Sequence, residues 1–362
     1  MPMSKEKSPV ERFQSFSDAY MPRIDDFIRE YFGDRSAASE LPEISEMYAY
    51  LAEYCSREGK RVRPLVMLLA YFGYGGDRNS VDVIKIAAVL EMMHSFLLIQ
   101  DDIIDRSDLR RGGKALHLIC GERYGGGSHN PEIGSHLALI LADVLFSVAV
   151  GIIARADIQP GAKDRFMKIF ADTYEITSWG QALDILNSAS RTMSSPGETA
   201  VRIATMKTAY YTVLYPMLMG HALVGGDPDV EEGLIGEFSL PLGLSFQIRD
   251  DILGIFGKEE ATGKPSDSDI LEGKRTLLVD GALERLEGTG LDRFIALFTK
   301  KDKTSDDIDA IRAIIHDSGS LDAARRRHGE LIDRSRNGLA RLNIDGDCRA
   351  VLGGLVDLIA KI

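Results

Sequence analysis

The sequence predicts an all-α fold, one large helical domain spanning residues 1–362, and three observations carry that prediction. Apolar residues recur at helical spacing through most of the chain, as in Val83, Ile86, Ala87 and Leu90. Runs of Val, Ile and Thr alternating with polar residues between turn signals, the pattern of a half-buried strand, are hard to find. At 362 residues and 44% hydrophobic content the chain can bury a large core, and the helical pattern crosses every loop without the compositional shift of a domain linker.

Taken in chain order, the opening MPMSKEKSPVERF lacks the apolar stretch of a secretory signal, and residues 1–40 read as an appendage to the bundle. Breaks between helices fall at 73–79, 121–134, 193–197, 225–228 and 257–269, where Gly, Pro, Asn and Asp gather. Residues 137–153 are the most apolar run. They carry Asp143 and fall short of the roughly 20 residues of a membrane span, so they read as a core helix with other helices on every side. Residues 299–307, TKKDKTSDD, form a charged loop with Ser305 as the N-cap of the next helix, and a late helix begins at Leu321.

Composition removes several classes of function. A formal net charge of −12 gives no basic face for nucleic acid. Cys55, Cys120 and Cys348 lie far apart with no CxxC, which supports neither a disulfide framework nor a zinc site and fits a reducing cytoplasm. GKEEATGK from Gly257 has five residues between its glycines and Pro265 where a P-loop needs Ser or Thr. There is no GxGxxG after a strand, no HExxH and no nucleophile elbow.

The strongest signal is a repeated one: LIQDDIID at 98–105 and FQIRDDILG at 246–254 each place adjacent aspartates inside an otherwise apolar helix. Ionised carboxylates there are costly unless paired or metal-bound, so two such clusters in one core call for a shared cation load. Helical geometry puts Asp101 and Asp105 one turn apart on one face with Asp102 rotated by about 100°, so several oxygens can approach a common point. Oxygen-only ligands suit magnesium, which takes one or two carboxylates together with substrate phosphates. Basic residues bracket both clusters: GKRVRP at 59–64, Arg110 and Arg111 after the first, Lys264 and Lys274 after the second. Forked guanidinium donors and ammonium charges beside metal-binding carboxylates describe a site for diphosphates.

In order along the chain, GKRVRP, His94, DDIIDRSDLRRG from Asp101, GQALD from Gly180, MKTAYY from Met206, FQIRDDILG, GKP and EGKRT resemble the motifs of the trans-isoprenyl diphosphate synthases, the polyprenyl synthetases, and cover most of the chain. The resemblance implies a bundle of long helices around a central cavity, a homodimer, and two acidic motifs facing each other across the cavity mouth. It implies a short-chain synthase that joins isopentenyl diphosphate to an allylic diphosphate (dimethylallyl, geranyl or farnesyl), with no stable membrane anchor. Carried over by position, Lys60, Arg63, His94 and Arg111 would hold isopentenyl diphosphate. Arg110, Lys207, Thr208, Gln247, Lys264 and Lys274 would hold the allylic diphosphate. Asp101, Asp102, Asp105 and Asp250 would bind magnesium, three ions with substrate bound, and Asp251 would support them. Two departures stand out: Gly254 occupies the place of a third aspartate common in the second motif, and Gln100 replaces a histidine before the first.

Product length is expected to follow from a bulky residue below the first motif. Phe96 lies five residues before Asp101, about 7.5 Å down a helix, and an aromatic there in the family limits products to fifteen or twenty carbons. Geranylgeranyl diphosphate is the expected product, with farnesyl or longer products as alternatives. A terpene cyclase would need no isopentenyl site, which GKRVRP and Arg111 argue against. A non-catalytic partner subunit would not need an intact first motif with its trailing arginines.

Overall fold

The structure, a computed structural model, describes residues 7–189, 198–257 and 267–362. Among the described residues ten helices lead to the second acidic motif: α1 (Pro9–Ala37), α2 (Pro42–Ser56), α3 (Val62–Gly73), α4 (Val81–Ile104), α5 (Leu116–Tyr124), α6 (Pro131–Arg155), α7 (Pro160–Ala189), α8 (Glu198–Ala204), α9 (Tyr215–Leu223) and α10 (Pro228–Phe256). A π segment, Thr205–Leu214, joins α8 to α9 without a break. Beyond α10 lie a short helix, Ser268–Leu271, then Leu277–Arg285, Gly288–Phe298, Ser305–Asp317, Ser320–Arg341 and Gly346–Ile359. The sole sheet among the described residues is a two-strand hairpin, Leu109–Arg110 with Gly113–Lys114.

α1 is not an appendage. A Ser8–Glu11 capping box and Pro9 at its first turn start the helix. Phe13, Phe16, Ile24, Ile28 and Phe32, at helical spacing, enter the same core as α3 and α4, and Arg61 Nε donates to Asp25 at 2.9 Å. α3 and most of α4 are buried on all sides, so α4 is the central column of the bundle. α10 links two apolar clusters: Ile235, Phe238 and Leu242 join the main core, whereas Leu244, Ile248, Ile252 and Ile255 pack with the helices from Leu277 onward.

Other expectations need adjustment. α6 is not enclosed. Ile140 is 60% exposed, and with Leu139 on α6 and Trp179 and Leu186 on α7 it leaves an apolar face uncovered. α6 is long and apolar enough to cross a membrane by length and composition, yet its inner face packs on α4 and α5. The cap of Ser305–Asp317 is Thr304, which exchanges hydrogen bonds with Asp307 in a capping box, rather than Ser305. The long break at 121–134 shrinks to the segment between Tyr124 and Pro131, because α5 extends to Tyr124. The predicted loop at 193–197 lies outside the described residues, as does most of 257–269.

Candidate active site

The cleft is assembled from the last turn of α4, the C-terminal half of α7, the π segment, the end of α10 and the segment before Leu277. Asp101 and Asp105 open toward it. Gln181 Nε2 donates to Asp101 Oδ1 at 3.2 Å, and Lys207 Nζ lies 3.4 Å from that oxygen and 2.7 Å from Asp184 Oδ2. Lys274 Nζ is 3.6 Å from Asp105 Oδ2 and 3.0 Å from Glu272. Gly180 makes this approach possible, because a Cβ there would stand 2.5 Å from the Lys207 backbone nitrogen. A π segment is rare and tends to occur at functional sites; this one carries Lys207, Thr208 and Tyr211 along one wall.

The 100° rotation between Asp101 and Asp102 separates them. Asp102 is 1% exposed, and both its oxygens are engaged: Tyr54 Oη donates to Oδ2 at 2.8 Å, and Arg110 Nε donates to Oδ1 at 2.7 Å. Expected among the metal ligands, it stands in this structure as the buried ion-pair partner of Arg110. Arg110, expected on the allylic diphosphate, is drawn to Asp102 and reaches Asp101 only at 3.8 Å. Removing either partner would strand a charge in the core, a change that costs about 3–5 kcal/mol.

On α10, Asp250 opens into the cleft with its side chain 44% exposed. Asp251 is buried, accepting from Gln247 Nε2 at 2.6 Å and from the Leu277 amide at 3.4 Å. Gln247, expected on the allylic diphosphate, thus supports Asp251. Asp269, absent from the sequence reading, sits where a side chain at 254 would project: a Cβ on Gly254 would come 2.3 Å from Asp269 Oδ2. Glycine in the second motif therefore makes room for a carboxylate from the following segment.

Electrostatics tie the two halves together. Burial and Asp101 push Asp105 up to about 6, and burial with Asp269 pushes Asp251 up to about 8. Burial also raises Asp250, against the pull of Lys60. Burial works against a charged Lys274, but Asp269, Glu272 and Asp105 outweigh it and raise its pKa. Among the described residues no three His, Cys, Asp or Glu converge as a preformed metal cage. Magnesium does not need one, since one or two carboxylates suffice once phosphate oxygens complete its shell. Clustered, desolvated carboxylates with raised pKa values are short of cationic charge, so the donor set fits that metal.

The basic side of the cleft holds buried donors without partners: Arg63 Nε and Arg111 Nη1. Arg63 stacks 3.8 Å from the Tyr211 ring centre and donates to Thr212 at 2.9 Å. Tyr211 Oη lies 3.3 Å from His94 Nδ1. Burial and the nearby Arg63 and Arg111 hold His94 well below the usual histidine pKa, so it faces the site as a neutral ring. Lys60 is exposed, and its charge acts on Asp250. Lys264 lies outside the described residues.

A cavity of about 250 Å³ runs below Asp101, lined by Leu97, Gln100, Ser178, Gln181, Thr208 and Tyr211 among others. Phe96 does not line it directly. It lies at 1% exposure in a triangle of rings with Tyr174 (5.2 Å) and Phe146 (5.7 Å), and those two are 5.1 Å apart. Phe96 and Tyr174 each lie one helical turn below lining residues, Gln100 and Ser178.

The profile of the polyprenyl synthetase family matches residues 43–315. A geranylfarnesyl diphosphate synthase of Aeropyrum pernix is 31% identical over 307 residues, covering 84% of this chain and 90% of the relative. A geranylgeranyl diphosphate synthase of Methanosarcina mazei is 30% identical, covering 84% and 85%. Among solved structures, a geranylgeranyl pyrophosphate synthase from Corynebacterium glutamicum, complexed with isoprenyl diphosphate and magnesium, superposes with a TM-score of 0.84 at 28% identity, covering 94% of this chain and 98% of that one. The chain belongs to the polyprenyl synthetase family. It is an isoprenyl diphosphate synthase, and hence a prenyltransferase.

Proposed function

We propose that this chain condenses isopentenyl diphosphate with an allylic diphosphate to give geranylgeranyl diphosphate, as a magnesium-dependent homodimer in the cytoplasm. One observation carries the reading. Open carboxylates from both acidic motifs border the same cleft as two guanidinium groups that each keep a buried donor without a partner, so a magnesium-bound diphosphate and a second, metal-free one each find complementary charge.

Asp101, Asp105 and Asp250 would hold magnesium, three ions with substrate bound; when bound, it draws charge off the departing diphosphate. Lys207 and Lys274 face the same diphosphate and stay charged. Arg63, Arg111, Lys60 and neutral His94, by hydrogen bonding, hold isopentenyl diphosphate so that it attacks the allylic carbon as that carbon becomes cationic. A proton then passes to the released diphosphate, and the product is five carbons longer. The exposed apolar face of α6 and α7, with Ile140, Trp179 and Leu186, supports burial against a second copy.

The relatives include both twenty- and twenty-five-carbon synthases. The ring triangle of Phe96, Phe146 and Tyr174 favours the shorter product by closing the cavity one turn below its lining. Reverse-phase separation of products made from labelled isopentenyl diphosphate, magnesium and each primer from C5 to C15 tests the proposal. The expected result is a ladder stopping at C20, with Phe96→Ala extending it under excess isopentenyl diphosphate. An unchanged stop in that variant would contradict the floor, and no elongation in the wild type would contradict the function.

A further inference from the structure

Glu91 is the one acidic residue of α4 between Asp82 and Asp101, and it is 1% exposed. Its Oε1 takes two guanidinium groups at once, from Arg61 Nη1 at 2.6 Å and Arg111 Nη2 at 2.9 Å. Both arginines have left-handed backbone, φ 46° and 50°, a region that crowds an L side chain. Arg111 is followed by Gly112, also at positive φ, in the tight turn between the two short strands, as a type I′ turn demands. Two of the three non-glycine residues with positive φ among the described residues therefore meet on one buried carboxylate oxygen.

The two arginines differ in what they have left. Arg61 is fully engaged, by Asp25, Glu91 and the carbonyls of Cys55 and Arg57. Arg111 keeps Nη1 buried and without a partner, its guanidinium resting over Gly59, where a Cβ would come 3.0 Å from Cζ. We infer that Glu91 is a positioning residue for isopentenyl diphosphate: it anchors Arg111 through one nitrogen so that Nη1 faces the diphosphate, and through Arg61 it sets the segment that carries Lys60 and Arg63. A carboxylate shared by two guanidiniums also offsets their repulsion, so this cationic pocket stays assembled before substrate arrives. This inference rests on the proposed function, because it assigns the diphosphate that Arg111 meets.

Steady-state kinetics of Glu91→Gln against the wild type, varying each substrate separately, tests it. Losing the charge-assisted anchor is expected to raise KM for isopentenyl diphosphate roughly tenfold to a hundredfold, with kcat and the allylic KM within about twofold. Glu91→Asp, which keeps the charge on a shorter arm, should fall between the two. A drop in melting temperature and in active fraction with both KM values unchanged would show a merely structural carboxylate and overturn the inference. Equal rises in both KM values would overturn it too. If Glu91→Gln does not fold, Gly59→Ala shifts the Arg111 guanidinium by about a few tenths of an ångström without touching Glu91 and should raise the isopentenyl KM selectively but less; an unchanged isopentenyl KM there overturns the inference. A wild type that never consumes isopentenyl diphosphate overturns the proposed function itself and this inference with it.

Discussion

Asp101–Asp102 at the end of α4 and Asp250–Asp251 near the end of α10 are the same dipeptide in similarly apolar helices, yet their buried members are held by opposite chemistry. Asp102 is held by a cation, Arg110, and by Tyr54. Asp251 is held by neutral donors, Gln247 and the Leu277 amide, and has Asp269 for a neighbour. The buried member of the first pair therefore sits in an ion pair, whereas that of the second keeps a proton at neutral pH while no metal is bound. In each pair the other aspartate faces the cleft. Helix rotation divides each dipeptide into a working residue and a supporting residue, and the local partners decide the charge of the supporting one.

Substitution of the working residues should have the largest effect. Asp101→Asn is expected to lower kcat by about 10²–10³-fold, the scale for removing one electrostatic stabiliser from an active site, with little change in thermal melting. Asp102→Asn should instead destabilise the fold by about 3 kcal/mol by stranding Arg110, visible in denaturant unfolding. Asp251→Asn should cost far less stability at pH 7, since the amide mimics a carboxyl that already carries its proton. Equal destabilisation by the two asparagine variants would break the contrast.

The pH dependence sharpens it further. Asp105 and Asp251 have folded-state pKa values of about 6 and about 8, above the ordinary aspartate value of 3.8. The folded state thus binds more protons than the unfolded one between these limits, and their contribution to stability is present at low pH and lost as pH rises through about 6 and then about 8. In melts without metal, Asp251→Asn should flatten the upper part of that decline. Magnesium with a diphosphate should raise the melting temperature through binding to the folded state. The smallest effect belongs to a pair far from the cleft: Glu46→Gln, which loosens Arg123 and Tyr124 of α5 from α2, should cost about 0.2–1 kcal/mol.

The helical class, the aspartate pairs and the basic residues around them were legible because each depends on local pattern and on the cost of burying charge. The hold on Asp102 was not legible, because periodicity gives its rotation but not its partners, and Tyr54 and Arg110 come from other elements. Glu91 was open to the same argument as the aspartates, being an isolated acid in an apolar helix. α1 read as an appendage, although Phe13, Phe16, Ile24, Ile28 and Phe32 already followed helical spacing. Spacing did not reveal the π segment, because ten residues hold too few apolar positions to separate an i→i+5 register from an i→i+4 one. The approach of Asp269 to Gly254 depends on how the chain returns after α10, which no local pattern encodes.

One cleft couples loss of the allylic diphosphate to attack by isopentenyl diphosphate in the proposed reaction. Its most direct test is to measure diphosphate release from an allylic diphosphate in the presence of magnesium while isopentenyl diphosphate is varied. The expected result is release that depends on isopentenyl diphosphate, with one diphosphate freed for each five-carbon unit added. Release that proceeds equally well without isopentenyl diphosphate would contradict it and point to cyclisation or hydrolysis instead.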